Sequence, residues 1–243
     1  MEAAARQQTP ESDPVVVFNE FKHRDEAVGA LARRIGERLR FAVYRRATAS
    51  MIVSGGASPR DLFRALKLTP VPWYLVTIVP SDEGWVPVDD DDSSEGLFRR
   101  ELLSGEPGFA TFVSLYRRDC AAVDSLPALC ASLASVRRPF DAVVLGMGTD
   151  GHMASLFPDS PDIGEALHSD AEFVVQRVPR LKHARVSLTP RSLLDAHEVS
   201  LVFFGATKRG VYEQSLAPGP IEECPVRALV RQERVPVNVY WAP

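Results

Sequence analysis

The sequence predicts an α/β protein with a Rossmann-like, mostly parallel sheet and helices on both faces of that sheet. Short apolar runs without polar alternation recur along the chain, which is typical of strands buried on both faces. Helical patterns separate these runs, as parallel strands require. The chain has 243 residues, 45% of them hydrophobic, and it shows no Gly/Ser-rich linker. We therefore expect residues 14–243 to form a single domain, which allows a small subdomain around 155–195.

The predicted elements follow one another in a regular order. A buried strand at 14–18 precedes a long amphipathic helix that Asp25 opens, and the next strand, ASMIVSGG, ends in two glycines. The helix SPRDLFRAL then starts with Ser58 as its N-cap and Pro59 at its first position. Further helices are predicted near 93–103 and 121–135. Further strands are predicted at WYLVTIVP, 110–115, DAVVLG, EFVVQRV, ARVSLT, VSLVFFG and VNVYW.

Composition excludes several classes of protein. Residues 1–13 are polar and lack the apolar core of a signal peptide, so we expect a flexible tail there. No apolar run reaches the roughly 18 residues of a membrane span. The net charge is −4 and no basic stripe is present, which argues against a nucleic-acid partner. Three cysteines at irregular spacing indicate reduced thiols in a cytoplasmic protein. We expect the protein to be a monomer or a weak homodimer.

The loops after strands are the places to expect a ligand. Ligands of open parallel sheets bind beyond the carboxyl ends of the strands. In this sequence those loops are residues 54–58, 81–95, 146–158 and 205–208.

The loop GMGTDG at 146–151 follows the most apolar strand and matches the pattern G-x-G-x-x-G. A dinucleotide-binding loop must lead into a helix long enough to cross back over the sheet. Pro158 and Pro161 end any such helix after a few residues, so we expect no dinucleotide and no other cofactor.

Asp150 and His152 lie two residues apart in this glycine-rich loop. The pair could begin a metal site, but the other histidines offer no further ligands in a suitable setting, so no metal is expected. A carboxylate that accepts from one imidazole nitrogen fixes the tautomer and leaves the other nitrogen as a base. The alternative is a surface turn in which Asp150 caps a short helix and His152 is solvated.

The segment MIVSGGASPRDLF combines a strand, two glycines and a helix that starts with proline. Backbone N–H groups and the helix dipole would face an anion beyond Gly56. The Gly-Lys-Ser/Thr ending of a nucleotide-triphosphate loop is absent. Lys208, just after another strand, could supply positive charge for the same anion. The alternative is an ordinary tight turn with a solvated lysine.

Four segments together resemble the 6-phosphogluconolactonase family, in the same order and at similar separations: SGGASPRDLF, PSDEGWVPVDDDDSSEGLFRREL, FDAVVLGMGTDGHMASLFPDSP and ARVSLTPRSLLDAHEVSLVFFGATKRG. The resemblance covers nearly the whole chain, and the ending MASLFP separates it from the related glucosamine-6-phosphate deaminases.

The resemblance implies metal-free hydrolysis of 6-phospho-D-glucono-1,5-lactone to 6-phosphogluconate in the oxidative pentose phosphate pathway. It implies that His152 is the general base, that Asp150 orients it, and that glycine-loop amides near Gly55–Gly56 or Gly148 stabilise the oxyanion. The residues it implies for substrate binding are Ser54, Gly55, Gly56, Ser58, Asp82, Gly148, Arg185 and Lys208. A sugar-phosphate-binding protein without catalysis and an amino-sugar-phosphate deaminase or isomerase are the alternatives.

Gly84 departs from the family pattern, which usually has arginine at this position. We expect that Gly84→Arg would leave the fold intact and lower the Michaelis constant by adding a cation for the phosphate. The alternative is that Gly84 has a positive φ, so that any side chain would strain the loop.

Overall fold

The computed structural model describes residues 15–56 and 59–243. The expected tail at 1–13 and the expected N-cap Ser58 lie outside the described residues. The strands are Val16–Glu20 (β1), Ala49–Val53 (β2), Val76–Pro80 (β3), Asp82–Gly84 (β4), Thr111–Phe112 (β5), Ala142–Gly146 (β6), Phe173–Gln176 (β7), Arg185–Leu188 (β8), Val199–Phe204 (β9) and Val237–Ala242 (β10). The α-helices are Arg24–Arg46 (α1), Arg60–Lys67 (α2), Ser94–Glu101 (α3), Ala122–Ala134 (α4), Ile163–His168 (α5), Pro190–Leu193 (α6), Ala206–Leu216 (α7) and Arg227–Val230 (α8).

A seven-stranded sheet forms the centre of the fold, in the order β1-β10-β9-β6-β2-β3-β5. Every neighbouring pair in it is parallel, which confirms the predicted parallel sheet. From β2 the chain moves outward to β3 and β5, and it then returns to β6 on the other side of β2. The strand order therefore reverses between β2 and β6, and a crevice opens beyond the carboxyl ends of these two strands.

Helices cover both faces of this sheet, as the apolar runs predicted. Alternate residues of β2 show the arrangement, because successive side chains of a strand point to opposite faces. Met51 packs in a cluster with Leu31 and Ile35 of α1. Ile52 packs in a second cluster with Leu129 of α4 and other residues on the opposite face.

A second, antiparallel sheet has the order β4-β8-β7. The predicted strands EFVVQRV and ARVSLT thus exist, but they form a hairpin in this sheet instead of extending the parallel one. The hairpin lies within residues 155–195, where a small subdomain was expected, although β4 of the same sheet lies outside that range. Strand β4 was not predicted, because Asp82 and Glu83 give it the composition of a polar loop. It pairs Asp82 with Ser187 and Gly84 with Arg185.

Smaller differences concern the ends of elements. The first residues of WYLVTIVP form a 3-10 turn, Trp73–Leu75, so β3 is shorter than predicted. Pro59 was expected at the first helical position but is the N-cap of α2, which begins at Arg60. It has helical backbone angles, and its carbonyl accepts the Phe63 amide. In the described ranges, no helix is both long and apolar enough to cross a membrane.

Candidate active site

A cleft of about 360 Å³ lies at the carboxyl edge of the parallel sheet, where the strand order reverses. All four loops that the sequence predicted for ligand binding contribute to it, and the β7–β8 connection adds Leu181. The predicted site residues that line the cleft are Ser54, Gly55, Gly56, Asp82, Gly148, His152, Arg185 and Lys208.

Asp150 and His152 form a hydrogen-bonded pair in the turn after β6. Asp150 Oδ1 lies 2.6 Å from His152 Nδ1 and also accepts the His152 backbone N–H at 3.1 Å. Burial raises the pKa of Asp150, but hydrogen bonds from His152 and Arg180 outweigh it and hold that pKa well below its usual range. The carboxylate is therefore an acceptor, and Nδ1 must be the donor. Nε2 is the imidazole nitrogen that is left to take a proton.

Gly148 makes room for this pair. A Cβ atom at position 148 would lie 2.1 Å from His152 Nδ1 and 2.5 Å from Asp150 Oδ1. The Gly148 amide donates to the His152 carbonyl at 3.0 Å, so it is already engaged within the turn. This contact argues against the expectation that the Gly148 amide stabilises an oxyanion. The residue instead shapes the turn in which the imidazole lies.

Arg180, which sequence reasoning missed, bridges two carboxylates beside the pair. Its Nη2 donates to Asp150 Oδ2 at 2.5 Å, and its Nη1 lies 2.8 Å from Asp159 Oδ2. The guanidinium carbon lies 5.0 Å from the centre of the Phe157 ring, and the centres of the Phe157 and His152 rings are 4.2 Å apart. No motif marks Arg180, because it reaches Asp150 only through the β7–β8 connection.

Asp82 is buried and holds other polar groups in place. Its Oδ1 accepts from Ser81 at 2.6 Å, and its Oδ2 accepts from Ser155 at 2.5 Å and from Arg185 at 2.8 Å. Burial opposes ionisation, but the charge of Arg185 and these hydrogen bonds hold the pKa of Asp82 below its usual value. Both carboxylate oxygens are therefore engaged by protein groups. The geometry therefore favours a role in which Asp82 orients Arg185 and Ser155, over the expected direct contact of Asp82 with a substrate.

Glu83 anchors the first turn of α3, which contributes Ser94 to the cleft. The Glu83 carboxylate accepts the backbone amides of Ser94 and Glu95, both at 2.6 Å. The side chain is fully buried, and this burial raises its pKa to about 7 despite the two amides. Sequence reasoning missed Glu83 as well, because it belongs to the polar segment that was taken as a loop.

The cleft is also lined by the residues that were expected to hold an anion, which are Ser54, Gly55, Gly56 and Lys208. Gly56 has φ +99°, a conformation that suits glycine, and Ser54 Oγ lies 2.7 Å from Ser81 Oγ. Burial lowers the pKa of Lys208, while the charge of Asp150 opposes this shift. The structure thus brings a cation and a glycine turn to one cleft with His152.

The structure does not support either expectation for Gly84. Its φ is not positive, so the alternative explanation is wrong. However, a Cβ atom at position 84 would lie 2.6 Å from the backbone oxygen of Asp92. Any side chain would force β4 and the acidic loop apart, so Gly84→Arg would not leave this region intact. Close backbone packing explains the glycine.

Clusters of His, Cys, Asp and Glu side chains are the usual protein sites for transition-metal ions. Within residues 15–56 and 59–243, no group of three or more His, Cys, Asp or Glu side chains is placed to hold a metal ion.

The doubly wound sheet, with an imidazole, a carboxylate and a lysine around its switch-point cleft, defines an α/β enzyme. The family model for glucosamine-6-phosphate isomerases/6-phosphogluconolactonase matches residues 22–241. The chain belongs to this family.

Relatives with similar sequences and structures extend over nearly the whole chain. A 6-phosphogluconolactonase of Mesorhizobium japonicum is 37% identical over 228 residues, which are 93% of this chain and 95% of that protein. One of Pseudomonas putida is 36% identical and covers 94% and 93% of the two chains. The crystal structure of a 6-phosphogluconolactonase from Shewanella baltica superposes with a TM-score of 0.91 at 36% identity, and it covers 94% of this chain and 98% of its own.

Proposed function

We propose that this protein hydrolyses 6-phospho-D-glucono-1,5-lactone to 6-phosphogluconate. The names of relatives that match more than 90% of the chain support the substrate class. The observation that carries the proposal is the 2.6 Å contact between His152 and Asp150 in a cleft that also contains Lys208 and a glycine turn. These groups supply a base for water and a cationic end for the phosphate.

In the proposed reaction, His152 Nε2 removes a proton from a water molecule as the water oxygen attacks the lactone carbonyl carbon. Asp150 orients the imidazole ring through its Nδ1–H and stabilises the imidazolium that forms. The tetrahedral oxyanion then collapses, and the bond between the carbonyl carbon and the ring oxygen breaks. The imidazolium gives its proton to that ring oxygen, which restores neutral His152 and leaves the open-chain acid.

Phosphate binding is assigned to the glycine turn and the cations of the cleft. Lys208 and Arg185 both line it, and charge-assisted hydrogen bonds are roughly twice as strong as neutral ones. Arg185 is held by Asp82, so its guanidinium is oriented before the substrate arrives. Gly55 and Gly56 allow the backbone to approach the anion closely.

A coupled assay with freshly generated lactone tests this proposal, with spontaneous hydrolysis subtracted. His152→Asn keeps the size of the side chain but cannot take the proton, so kcat should fall by roughly 10²–10⁴-fold. Asp150→Asn should also lower kcat, because the ring would lose its fixed tautomer. If folded His152→Asn stays within a few-fold of wild type, His152 is not the base.

The same experiments separate the alternatives. A deaminase or isomerase would release ammonia from glucosamine 6-phosphate, and we expect no such release. A binding protein without catalysis would bind 6-phosphogluconate but would not exceed the spontaneous rate of lactone hydrolysis.

We also propose that the reaction needs neither metal nor cofactor, so activity should survive exhaustive chelation. Activity that is lost to chelation and restored by a divalent ion would contradict this.

We further propose that the protein acts in the cytoplasm, in the oxidative pentose phosphate pathway, as a monomer or a weak homodimer. Its three cysteines form no disulfide, which supports a reducing compartment. Cell fractionation and sedimentation velocity test the compartment and the oligomeric state. A stable dimer at low micromolar concentration would contradict the expected state.

A further inference from the structure

We propose that Arg180 is a positioning residue that holds Asp150 and Phe157 in the geometry that His152 needs for proton transfer. This inference rests on the proposed function. Arg180 lies in the connection between β7 and β8, at residues 177–184, and is not among the described residues that line the cleft. Its influence on the reaction must therefore pass through the groups that it contacts.

The first contact fixes the carboxylate. Asp150 uses Oδ1 for His152 and Oδ2 for Arg180, so the two oxygens have different partners. About a quarter of the Asp150 side chain is exposed, 27%, and without Arg180 only the contacts of Oδ1 with His152 would hold the carboxylate plane. Rotation would misalign Oδ1 with Nδ1, and a hydrogen bond weakens as its angle departs from linearity.

The second contact fixes the imidazole ring. Phe157 lies against His152, with ring centres 4.2 Å apart, and the guanidinium of Arg180 lies against the same phenyl ring. Cation–π attraction therefore holds the phenyl ring where it limits movement of the imidazole. Asp159 holds the guanidinium from a further direction at 2.8 Å.

The exposure of Arg180 makes the inference testable. Its side chain is 45% exposed, and exposed ion pairs contribute little to folding stability. Loss of its charge should therefore leave the fold intact. Misplacement of a catalytic group by about 1 Å can lower a rate by about 10²-fold, so an effect on kcat is measurable without unfolding.

The experiment compares Arg180→Met, Arg180→Lys and the control Arg177→Met. Arg177 is an exposed arginine of the same connection, so its replacement removes the same charge. We expect Arg180→Met to lower kcat by roughly 10–100-fold with little change in KM, and Arg177→Met to resemble wild type. Lysine keeps a cation but cannot bridge both carboxylates, so Arg180→Lys should have an intermediate kcat.

A double-mutant cycle with Asp150→Asn shows whether Arg180 acts through Asp150. In that background Arg180→Met should lower kcat by a clearly smaller factor than it does in wild type, because the Asp150 contact is already lost and only the Phe157 contact remains. A raised KM with unchanged kcat would instead make Arg180 a substrate-binding residue and overturn the inference. An equal loss of kcat with and without Asp150→Asn would overturn it too.

Proton NMR of the free protein distinguishes failure of this inference from failure of the proposed function. The His152 Nδ1 proton, hydrogen-bonded to a carboxylate, should give a downfield signal in wild type and Arg180→Lys that weakens in Arg180→Met. If wild type hydrolyses no lactone but these signals behave as expected, the proposed function fails and the positioning role stands. If wild type is active and Arg180→Met keeps the full signal and kcat, the positioning role is refuted.

Discussion

Replacement of Gly148 by alanine tests the geometry of the candidate site without removing any functional group. The new Cβ atom would lie 2.1 Å from His152 Nδ1, far inside ordinary contact distance. The imidazole must therefore retreat by more than about 1 Å, and its hydrogen bond to Asp150 cannot survive that displacement. We expect kcat/KM to fall by about 10²-fold or more, which approaches the loss expected for the base itself.

Stability should change much less than activity in this variant. The displaced imidazole is partly exposed, with 30% of its side chain accessible, so it can move outward. Overpacking at buried sites typically costs about 1–3 kcal/mol, and we expect a value at or below the lower end of that range. Urea unfolding of wild type and variant measures this free energy directly.

Gly146→Ala is the matched control for Gly148→Ala. It adds the same methyl group two residues earlier, at the end of β6 beside the cleft, but the nearest atom to the new Cβ is a side-chain carbon of Pro59 at 3.9 Å. Its kcat/KM should remain close to that of wild type. The reasoning is refuted if folded Gly148→Ala is as active as Gly146→Ala, because the His152–Asp150 geometry would then not limit the reaction.

Three other variants test neighbouring features. Gly84→Ala should destabilise the protein by about 1–3 kcal/mol, because its Cβ meets the Asp92 carbonyl at 2.6 Å; an unchanged urea midpoint would contradict this. The pKa of Glu83 is raised to about 7 in the folded protein, so between about pH 4.5 and 7 the folded state binds a proton that the unfolded state has lost. Glu83 therefore makes the stability of the wild type fall as the pH rises through this range. Glu83→Gln should remove this fall in the free energy of unfolding, which is on the order of 3 kcal/mol over that pH range. Parallel curves of stability against pH for the two proteins would refute this expectation. Gly210 lies inside α7, and a Cβ atom there would have no heavy atom within 4 Å. Gly210→Ala should therefore raise the free energy of unfolding by about 0.5–1 kcal/mol, and an unchanged or lower melting temperature would contradict this.

The sequence was most informative where structure depends on near neighbours along the chain. The runs DAVVLG and VSLVFFG predicted buried parallel strands because uninterrupted apolar residues suit strands covered on both faces. Asp150 and His152 were found because a turn places residues two apart side by side. The four loops at the cleft were found because carboxyl ends of parallel strands meet at one edge of the sheet.

Contacts between distant polar segments were not predictable in this way. Arg180 reaches Asp150 across 30 residues, and Ser155 reaches Asp82 across 73, both through the second sheet. The sequence showed only polar loops there, with no periodicity that would pair one with another. Gly84 was misinterpreted for the same reason, because its close neighbour is a backbone oxygen of a loop and not a feature of its own segment.

The position of β10 between β9 and β1 has a consequence for synthesis on the ribosome. Among the described residues β1 pairs only with β10, so β1 cannot pair within the sheet until β10 has emerged. The side chain of Asn19, for example, donates to the Val239 carbonyl across 220 residues. We propose that residues 14–243 therefore fold as one unit after translation has passed β10, with a single unfolding transition. A nascent chain that stops before Val237 would expose the edges of both β9 and β1, and such unpaired edges favour aggregation.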